Sequence, residues 1–457
     1  MSQKRFDVLI VGGGISGGSL LYLLSTFSDI SSLCLIEKYD HLDPLNSNAH
    51  NNSQTLHCGD IETNYSTEKA AHVHEAAELT RIYCETVSGD PTLMRRYGKM
   101  LLGVGAEEAA LVRKRGETFS TLFPTLETVE AERIAELEPK LALVGGKPRP
   151  EEIAALFNPE GFAVDFGRLT ESFVAKATEA PGKTVSIRLS SPAGTITRDG
   201  DGFSVETPDG PILASMVVVS AGAHSLLIAQ KLGYGLDYSV MPVTGSFYFA
   251  PSVLQHKVYT VQNDKLPFAA IHGDPDLTNS DKTRFGPTAL VLPVLERHNI
   301  KTAWGFLESF NFDEEVAVVL WDLMKDKDIH DFVFRNVGYE IPVYGRQSFA
   351  KAVQKIVPSL GAEDLEFAEG YTGIRPQLID KKARQLLMGA AKIDQNDRII
   401  FNMTPSPGAT SALDNAREDM LSIAKQIGAR IDEAAFEETF HQHALKDLPD
   451  TTDVGHQ

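Results

Sequence analysis

Residues Phe6 to Val11, "FDVLIV", form an apolar-rich run of the kind found in strands buried on both faces. The spacing then changes. Leu20, Leu21, Leu23, Leu24 and Phe27 recur at helical intervals, and Leu33 to Ile36 make a second short apolar run closed by Glu37. Strand, helix and strand predict a βαβ unit and a parallel sheet. Further on, "FAVDFGRLTESFVAKA" predicts a strand end feeding a helix. The stretch from Val185 to Ser225 predicts short strands joined at the hairpin-like turns "RDGDG" and "TPDG". It ends in the apolar strand Met216 to Val219, just before Ala221 and Gly222. Residues 241–350 are richer in strand patterns, Pro and aromatics. "FNMTPSPGATSALDNAREDMLSIAKQIG" predicts a loop that starts a helix.

One stretch contrasts with all of these. "NNSQTLHCGDIETNY", residues 51–65, opens with five polar residues in a row, Asn51 to Thr55. Long polar loops in compact proteins are often functional, so this one is a candidate ligand loop. Asp60 and Glu62 within it read as loop or helix-cap residues.

Composition narrows the field. A chain of 457 residues suggests two or three domains. The net charge of −19, from 43 basic and 62 acidic side chains, opposes nucleic-acid binding and broad electrostatic docking on anionic lipid. Cys34, Cys58 and Cys84 are too few and too scattered for a disulfide framework or a zinc knuckle, which points to a reducing compartment. The N-terminal apolar run is too short for a signal peptide or a membrane span, and no other run reaches membrane length. Any membrane contact is then peripheral.

Gly12, Gly14 and Gly17 form G-x-G-x-x-G between the first predicted strand and its helix, and Glu37 lies twenty positions beyond Gly17. Gly12 permits the tight turn, Gly14 the approach of a pyrophosphate, and Gly17 close helix–strand packing. The helix N-terminus faces the phosphates. Glu37, with Lys38 beside it, ends the second strand where a carboxylate accepts hydrogen bonds from a ribose. Gly103 and Gly105 imitate the motif, but Glu107 and Glu108 follow where a pyrophosphate must go. A single dinucleotide site predicts electrons drawn from a small substrate rather than from a nicotinamide.

"MVVVSAGAHS" and "GYTGIRPQLID" extend this constellation. With them the chain resembles the flavin-dependent oxidoreductases that include D-amino-acid oxidase, glycerol-3-phosphate dehydrogenase and L-2-hydroxyglutarate dehydrogenase. "NNSQTLHCGDIETNY", "LPFAAIHGDPD", "TRFGPTAL" and "FNMTPSPGATS" narrow the resemblance to the malate:quinone oxidoreductase family, in its shorter form. The resemblance implies an α/β fold: a Rossmann-like FAD-binding domain of the glutathione-reductase and D-amino-acid-oxidase type, with a second α+β substrate domain on a mixed sheet. It places the FAD domain at residues 1–90, 161–240 and 346–457, and the substrate domain at 91–160 and 241–345. It implies FAD as cofactor, oxidation of (S)-malate to oxaloacetate, a quinone acceptor, and a cytoplasmic protein held peripherally on the inner face of the cytoplasmic membrane. L-2-hydroxyglutarate or L-lactate oxidation on the same fold is the alternative.

The resemblance also distributes roles. Ser53, Gln54 and Thr55 lie along the flavin and His57 approaches its reactive side. Ala221 and Gly222 lie under the dinucleotide. Pro407, Gly408, Ala409 and Thr410 bring a helix N-terminus to the flavin, where its dipole favours negative charge. Arg375 binds the substrate carboxylate, as a guanidinium grips one with two parallel hydrogen bonds. Arg284 is the second cation, with Arg346 in reserve. His272 is the base, because histidine titrates near neutrality, and His57 is the alternative. For the membrane, "FNFDEEVAVVLWDLMKD" offers an apolar stripe of Phe310, Phe312, Val316, Val319, Leu320 and Leu323 beside Trp321. Such a stripe is a core face first and a membrane face second.

Overall fold

The computed structural model describes residues 5–43, 45–262, 270–341, 344–387, 391–403 and 408–440. Its first sheet begins as the apolar runs predict. Phe6–Val11 lies between Ser32–Ile36 and Ile212–Val219, parallel to both. Thr184–Arg188 and Ile399–Met403 continue the parallel pairing outwards, and Ile196–Asp199, Gly202–Val205 and Ala391–Asp394 add antiparallel strands. The continuous hydrophobicity of the first strand follows from burial on both faces. Val8 and Ile10 enter one core with helices Ile15–Phe27, Phe166–Thr178 and Ala412–Ile427, whereas Leu9 and Val11 enter the opposite core beside Leu226 and Phe306.

A second, mixed sheet runs in the order Glu366–Phe367, Tyr248–Pro251, Lys282–Gly286, His272–Pro275, Lys257–Thr260, Lys99–Val104, Ile153–Asn158 and Glu127–Glu130. Only Lys257–Thr260 and Lys99–Val104 pair in parallel. A third sheet joins Leu290–Val291, Tyr238–Thr244, Ile374–Asp380 and Gln385–Leu386. Two of the expected boundaries fall within regular elements. The one at 240 falls inside the strand Tyr238–Thr244, and the one at 345 falls inside the helix Tyr344–Ile356. That helix buries Phe349, Val353 and Ile356 against Met100, Phe157 and Val258 of the second sheet, so it packs with the segments expected to form the substrate domain.

The polar loop of residues 43–62 forms little regular structure; its backbone bridges only from Thr55 to Ala163 among the described residues. Two buried lysines hold it instead. Lys99 and Lys257 are register partners on adjacent strands, and both are fully buried. Lys99 Nζ lies 2.6 Å from Asp60 Oδ1 and 3.5 Å from the Leu56 carbonyl, and Asn158 donates to the other Asp60 oxygen at 2.7 Å. Lys257 Nζ donates to the Ser53 carbonyl and to Asp274, each at 3.1 Å. Removing one partner of a buried ion pair strands the other charge away from water. Lys99→Ala is therefore expected to lower unfolding stability by about 3–5 kcal/mol, measured by urea denaturation of the FAD-loaded protein. A loss under about 1 kcal/mol would show the pair to be inconsequential.

Candidate active site

Where the first sheet meets the polar loop, a cavity of about 1030 Å³ opens. Ligand pockets span about 300–1,000 Å³, so this one suits a large ligand. At one end lies the glycine turn. Gly12 has φ +117°, and a Cβ there would stand 2.3 Å from the Ser220 carbonyl oxygen. A Cβ on Gly17 would stand 2.0 Å from the Gly12 oxygen. Gly14, on the cavity wall, would meet only the Ser47 hydroxyl, at 3.2 Å. The helix Ile15–Phe27 thus presents a bare backbone edge at its N-terminus, as a pyrophosphate requires. Gly17→Val is expected to yield protein without bound flavin, read from the visible absorbance after purification. A yellow variant with parental flavin content would contradict this assignment.

Glu37 has more to do than its spacing implies. Its two carboxylate oxygens accept the Gly13 and Tyr39 backbone amides, at 2.7 and 3.0 Å, fixing the glycine turn. Each oxygen retains a lone pair for a ribose hydroxyl. Lys38 lines the cavity but is paired with Glu296, which also takes hydrogen bonds from His224 at 2.8 Å and Tyr39 at 2.6 Å. Burial alone pushes the Glu296 carboxyl up, yet the hydrogen bonds from His224, Lys38, Tyr39 and Asn299 hold it well below the usual range. Ala221 and Gly222 complete this end of the wall.

At the other end Ser53, Thr55, His57, Gly408, Ala409 and Thr410 line the cavity. The Thr410 hydroxyl accepts the His57 amide at 3.1 Å, tying the helix Ala412–Ile427 to the polar loop. Pro407 lies outside the described residues. Gln54 departs from its expected place. It does not line the cavity; its backbone takes φ +57°, and its buried side chain bonds the Ala49 carbonyl at 3.1 Å and the Leu277 amide at 2.9 Å. It braces the loop from behind.

His57 Nδ1 lies 2.7 Å from Glu62 Oε1. Glu62 was expected to be a loop or cap residue, and is instead the carboxylate that orients this imidazole. Burial raises the Glu62 carboxyl, but the His57 hydrogen bond and the charges of His57 and Lys99 outweigh it and depress it below the ordinary value. A depressed carboxylate contributes stability above its unfolded pKa and loses it as pH falls through the folded one, so Glu62 stays ionised at neutrality.

Arg375 comes from the strand Ile374–Asp380, set opposite Val243, and both line the cavity. Its backbone neighbours are held by Asn46, whose Oδ1 accepts the Ile374 amide at 2.9 Å, and by Asn51, which accepts the Thr372 amide at 3.0 Å. No carboxylate pairs with Arg375 among the described residues. Burial lowers its affinity for its proton, offset by Tyr259 and Tyr65. A guanidinium keeps its charge even so, which leaves a sheltered cation facing the cavity.

The other two candidates lie behind the wall. His272 is buried, lines no part of the cavity, and stacks on Tyr259 with ring centroids 4.5 Å apart. Tyr259 in turn meets the Thr55 hydroxyl at 2.6 Å. Burial pushes His272 below its usual pKa despite Asp274, whose Oδ2 is 2.6 Å from Nδ1 but poorly aligned for a hydrogen bond. Arg284 is fully buried, 3.4 Å from Asp276 Oδ2, with its guanidinium 4.8 Å from the Phe247 ring that forms the cavity wall. The expected carboxylate contact of Arg284 and the expected base role of His272 meet this geometry: among the described residues, neither side chain is part of the cavity lining. Arg346 is exposed and is not part of the cavity lining. Arg297 does line the wall, but it donates to Glu340 and Ser246, each at 3.3 Å.

Comparison with known proteins fits this arrangement. The family profile described as "DAO: FAD dependent oxidoreductase" matches residues 7–413. Among solved structures, the FAD-bound L-alpha-glycerophosphate oxidase of Mycoplasma pneumoniae superposes with TM-score 0.65 at 19% identity, covering 94% of this chain and 96% of that one. Glycine oxidase of Geobacillus kaustophilus superposes with TM-score 0.61 at 17% identity, over 93% and 95%; these two share the fold. In sequence, a probable malate:quinone oxidoreductase of Campylobacter jejuni is 42% identical over 95% of this chain and 99% of its own length. The malate:quinone oxidoreductase of Helicobacter pylori is 42% identical over 93% and 96%. With a flavin-sized cavity, a glycine cradle and identity over nearly its whole length, the chain belongs to the malate:quinone oxidoreductase family of FAD dependent oxidoreductases.

Proposed function

We propose that His57, Glu62 and Arg375 carry in this chain the reaction of its family: FAD-dependent oxidation of (S)-malate to oxaloacetate with a quinone as acceptor. The observation behind this reading is that the Arg375 guanidinium, with no carboxylate partner among the described residues, lines the same cavity as His57, whose Nδ1 meets Glu62. FAD, when bound, supplies the acceptor for the hydride leaving malate C2. The glycine turn and Glu37 hold its pyrophosphate and ribose; Ser53, Thr55 and Gly408 to Thr410 border the opposite end. Arg375 clamps the carboxylate next to C2 and so fixes which face of the substrate is presented. Glu62 occupies His57 Nδ1, which leaves Nε2 to accept the C2 hydroxyl proton. The ionised Glu62 stabilises the imidazolium that results. Thr55 lies between this chemistry and the Tyr259–His272 stack, whose depressed histidine stays neutral and braces the wall.

The first sheet with its helices is taken as the FAD domain and the second sheet as the substrate domain. No helix among the described residues is long and apolar enough to cross a membrane; the lipid solubility of a quinone supports surface contact with the inner face of the cytoplasmic membrane as part of this reading. Purified enzyme should reduce a short-chain quinone with malate and no nicotinamide. Turnover that requires added NAD would contradict the reading.

A further inference from the structure

Outside the cavity, the strongest surface feature is a belt of exposed large apolar side chains between residues 300 and 344. Three consecutive helices carry most of it: Ala303–Phe310, Glu314–Lys325 and Lys327–Tyr339. Their inner faces are accounted for. Phe306 packs in the core of the first sheet, and Val316 and Val319 pack with Met241, Val243 and Ile379 of the third. Much of the stripe read from sequence is therefore core. The outward set is different: Trp304, Leu307, Trp321, Phe334 and Val337 on the helices and Phe312 in the link between the first two, with Trp304 70%, Phe312 66% and Trp321 64% exposed. On each flanking helix two of these recur at i, i+3, the spacing of one helical face. The chain has only two tryptophans, and both stand here.

We propose that this helical layer is the surface by which the protein sits on a lipid bilayer, shallowly and from one side. The proposal rests on the quinone-reducing reading above and adds the place of contact. Two observations favour lipid over another occupant. The patch begins in the chain where the cavity rim ends: Leu295 to Asn299 line the cavity and Trp304 follows five residues after Asn299. An acceptor dissolved in lipid then meets the protein beside its cavity. Indole rings favour the boundary between acyl chains and headgroups, and both tryptophans of the chain stand exposed here; the Lys325 ammonium beside Trp321 is held by Asp322 at 3.0 Å. On the three helices Glu308, Glu314, Glu315, Asp322, Asp328 and Asp331 outnumber Lys325, Lys327 and Arg335. The attraction is thus apolar burial rather than charge, which a neutral bilayer satisfies.

The test uses FAD-loaded full-length protein and phosphatidylcholine vesicles. Both tryptophans report the contact: their emission should shift to the blue on vesicle addition and be quenched when the lipid is brominated in its acyl chains, with little change at high salt. The variant Leu307→Ser/Phe312→Ser/Phe334→Ser keeps both reporters and removes three apolar anchors. It should float with vesicles at least about a hundredfold more weakly, reduce vesicle-embedded quinone correspondingly slowly, and reduce a water-soluble dye with malate at the parental rate. Undiminished flotation of the variant overturns the proposal. Binding that needs anionic lipid and vanishes with salt overturns it too. A parent that is dimeric without vesicles, and a variant that is monomeric, would make the patch a contact between copies. A parent that floats through these residues yet never oxidises malate would uphold the docking surface and sink the quinone-reductase reading alone.

Discussion

His57→Ala is expected to slow reduction of the bound flavin by malate by about 10²–10⁴-fold, with malate affinity little changed. The size follows from the loss of the only proton acceptor assigned to the substrate hydroxyl. The selectivity for rate follows because the carboxylate grip on Arg375 is untouched. Glu62→Gln should fall between parent and His57→Ala, because glutamine can still contact Nδ1 but offers no charge to the imidazolium. His272→Ala is the informative control. Its ring is buried against Tyr259 and absent from the cavity wall, so it should lose stability while reducing its flavin at near the parental rate. Stopped-flow traces of the three variants separate the cases. A His57→Ala enzyme at full speed beside a crippled His272→Ala enzyme would return the base role to His272.

Arg375→Lys should lower kcat/KM for malate by about a hundredfold or more, although the charge is kept. A lysine ammonium cannot reproduce the planar two-point grip, and the strand holding residue 375 leaves it no freedom to compensate. Ile374 and Thr372 are pinned through Asn46 and Asn51. Steady-state kinetics at several malate concentrations measure the effect. A loss under about threefold would mean that charge alone suffices and that the clamp is elsewhere.

The two ends of the cavity differ in how far the sequence discloses them. The dinucleotide end is local: Gly12, Gly14, Gly17 and Glu37 fall within one βαβ unit, where apolar runs and glycine spacing define the geometry. Arg375 stood out because a Gly-x-Arg-Pro strand end is a compact motif. The reacting end is assembled from segments far apart in the chain, and there spacing carries no depth information. On paper His272 follows an apolar run and His57 stands in a polar loop, and neither context tells depth. Only the stacking of His272 on Tyr259, a residue in another strand, shows which faces the cavity. Arg284 misleads in the same way, since Asp276 and Phe247 that enclose it come from different strands and loops. Glu62 was discounted because acids in loops are mostly solvated; its five-residue separation from His57 acquires meaning only through the turn that places them 2.7 Å apart. The expected boundaries at 240 and 345 fall within the strand Tyr238–Thr244 and the helix Tyr344–Ile356, whose pairing and packing partners are far off in the chain.

The most direct test is anaerobic addition of (S)-malate to the purified, FAD-loaded protein, followed through the visible flavin band and compared with L-2-hydroxyglutarate, L-lactate and (R)-malate. The account predicts that (S)-malate bleaches the band in rapid mixing and that the others do so slowly or not at all, with colour restored on adding a soluble quinone. Bleaching by L-2-hydroxyglutarate or L-lactate while (S)-malate leaves the flavin oxidised would contradict it.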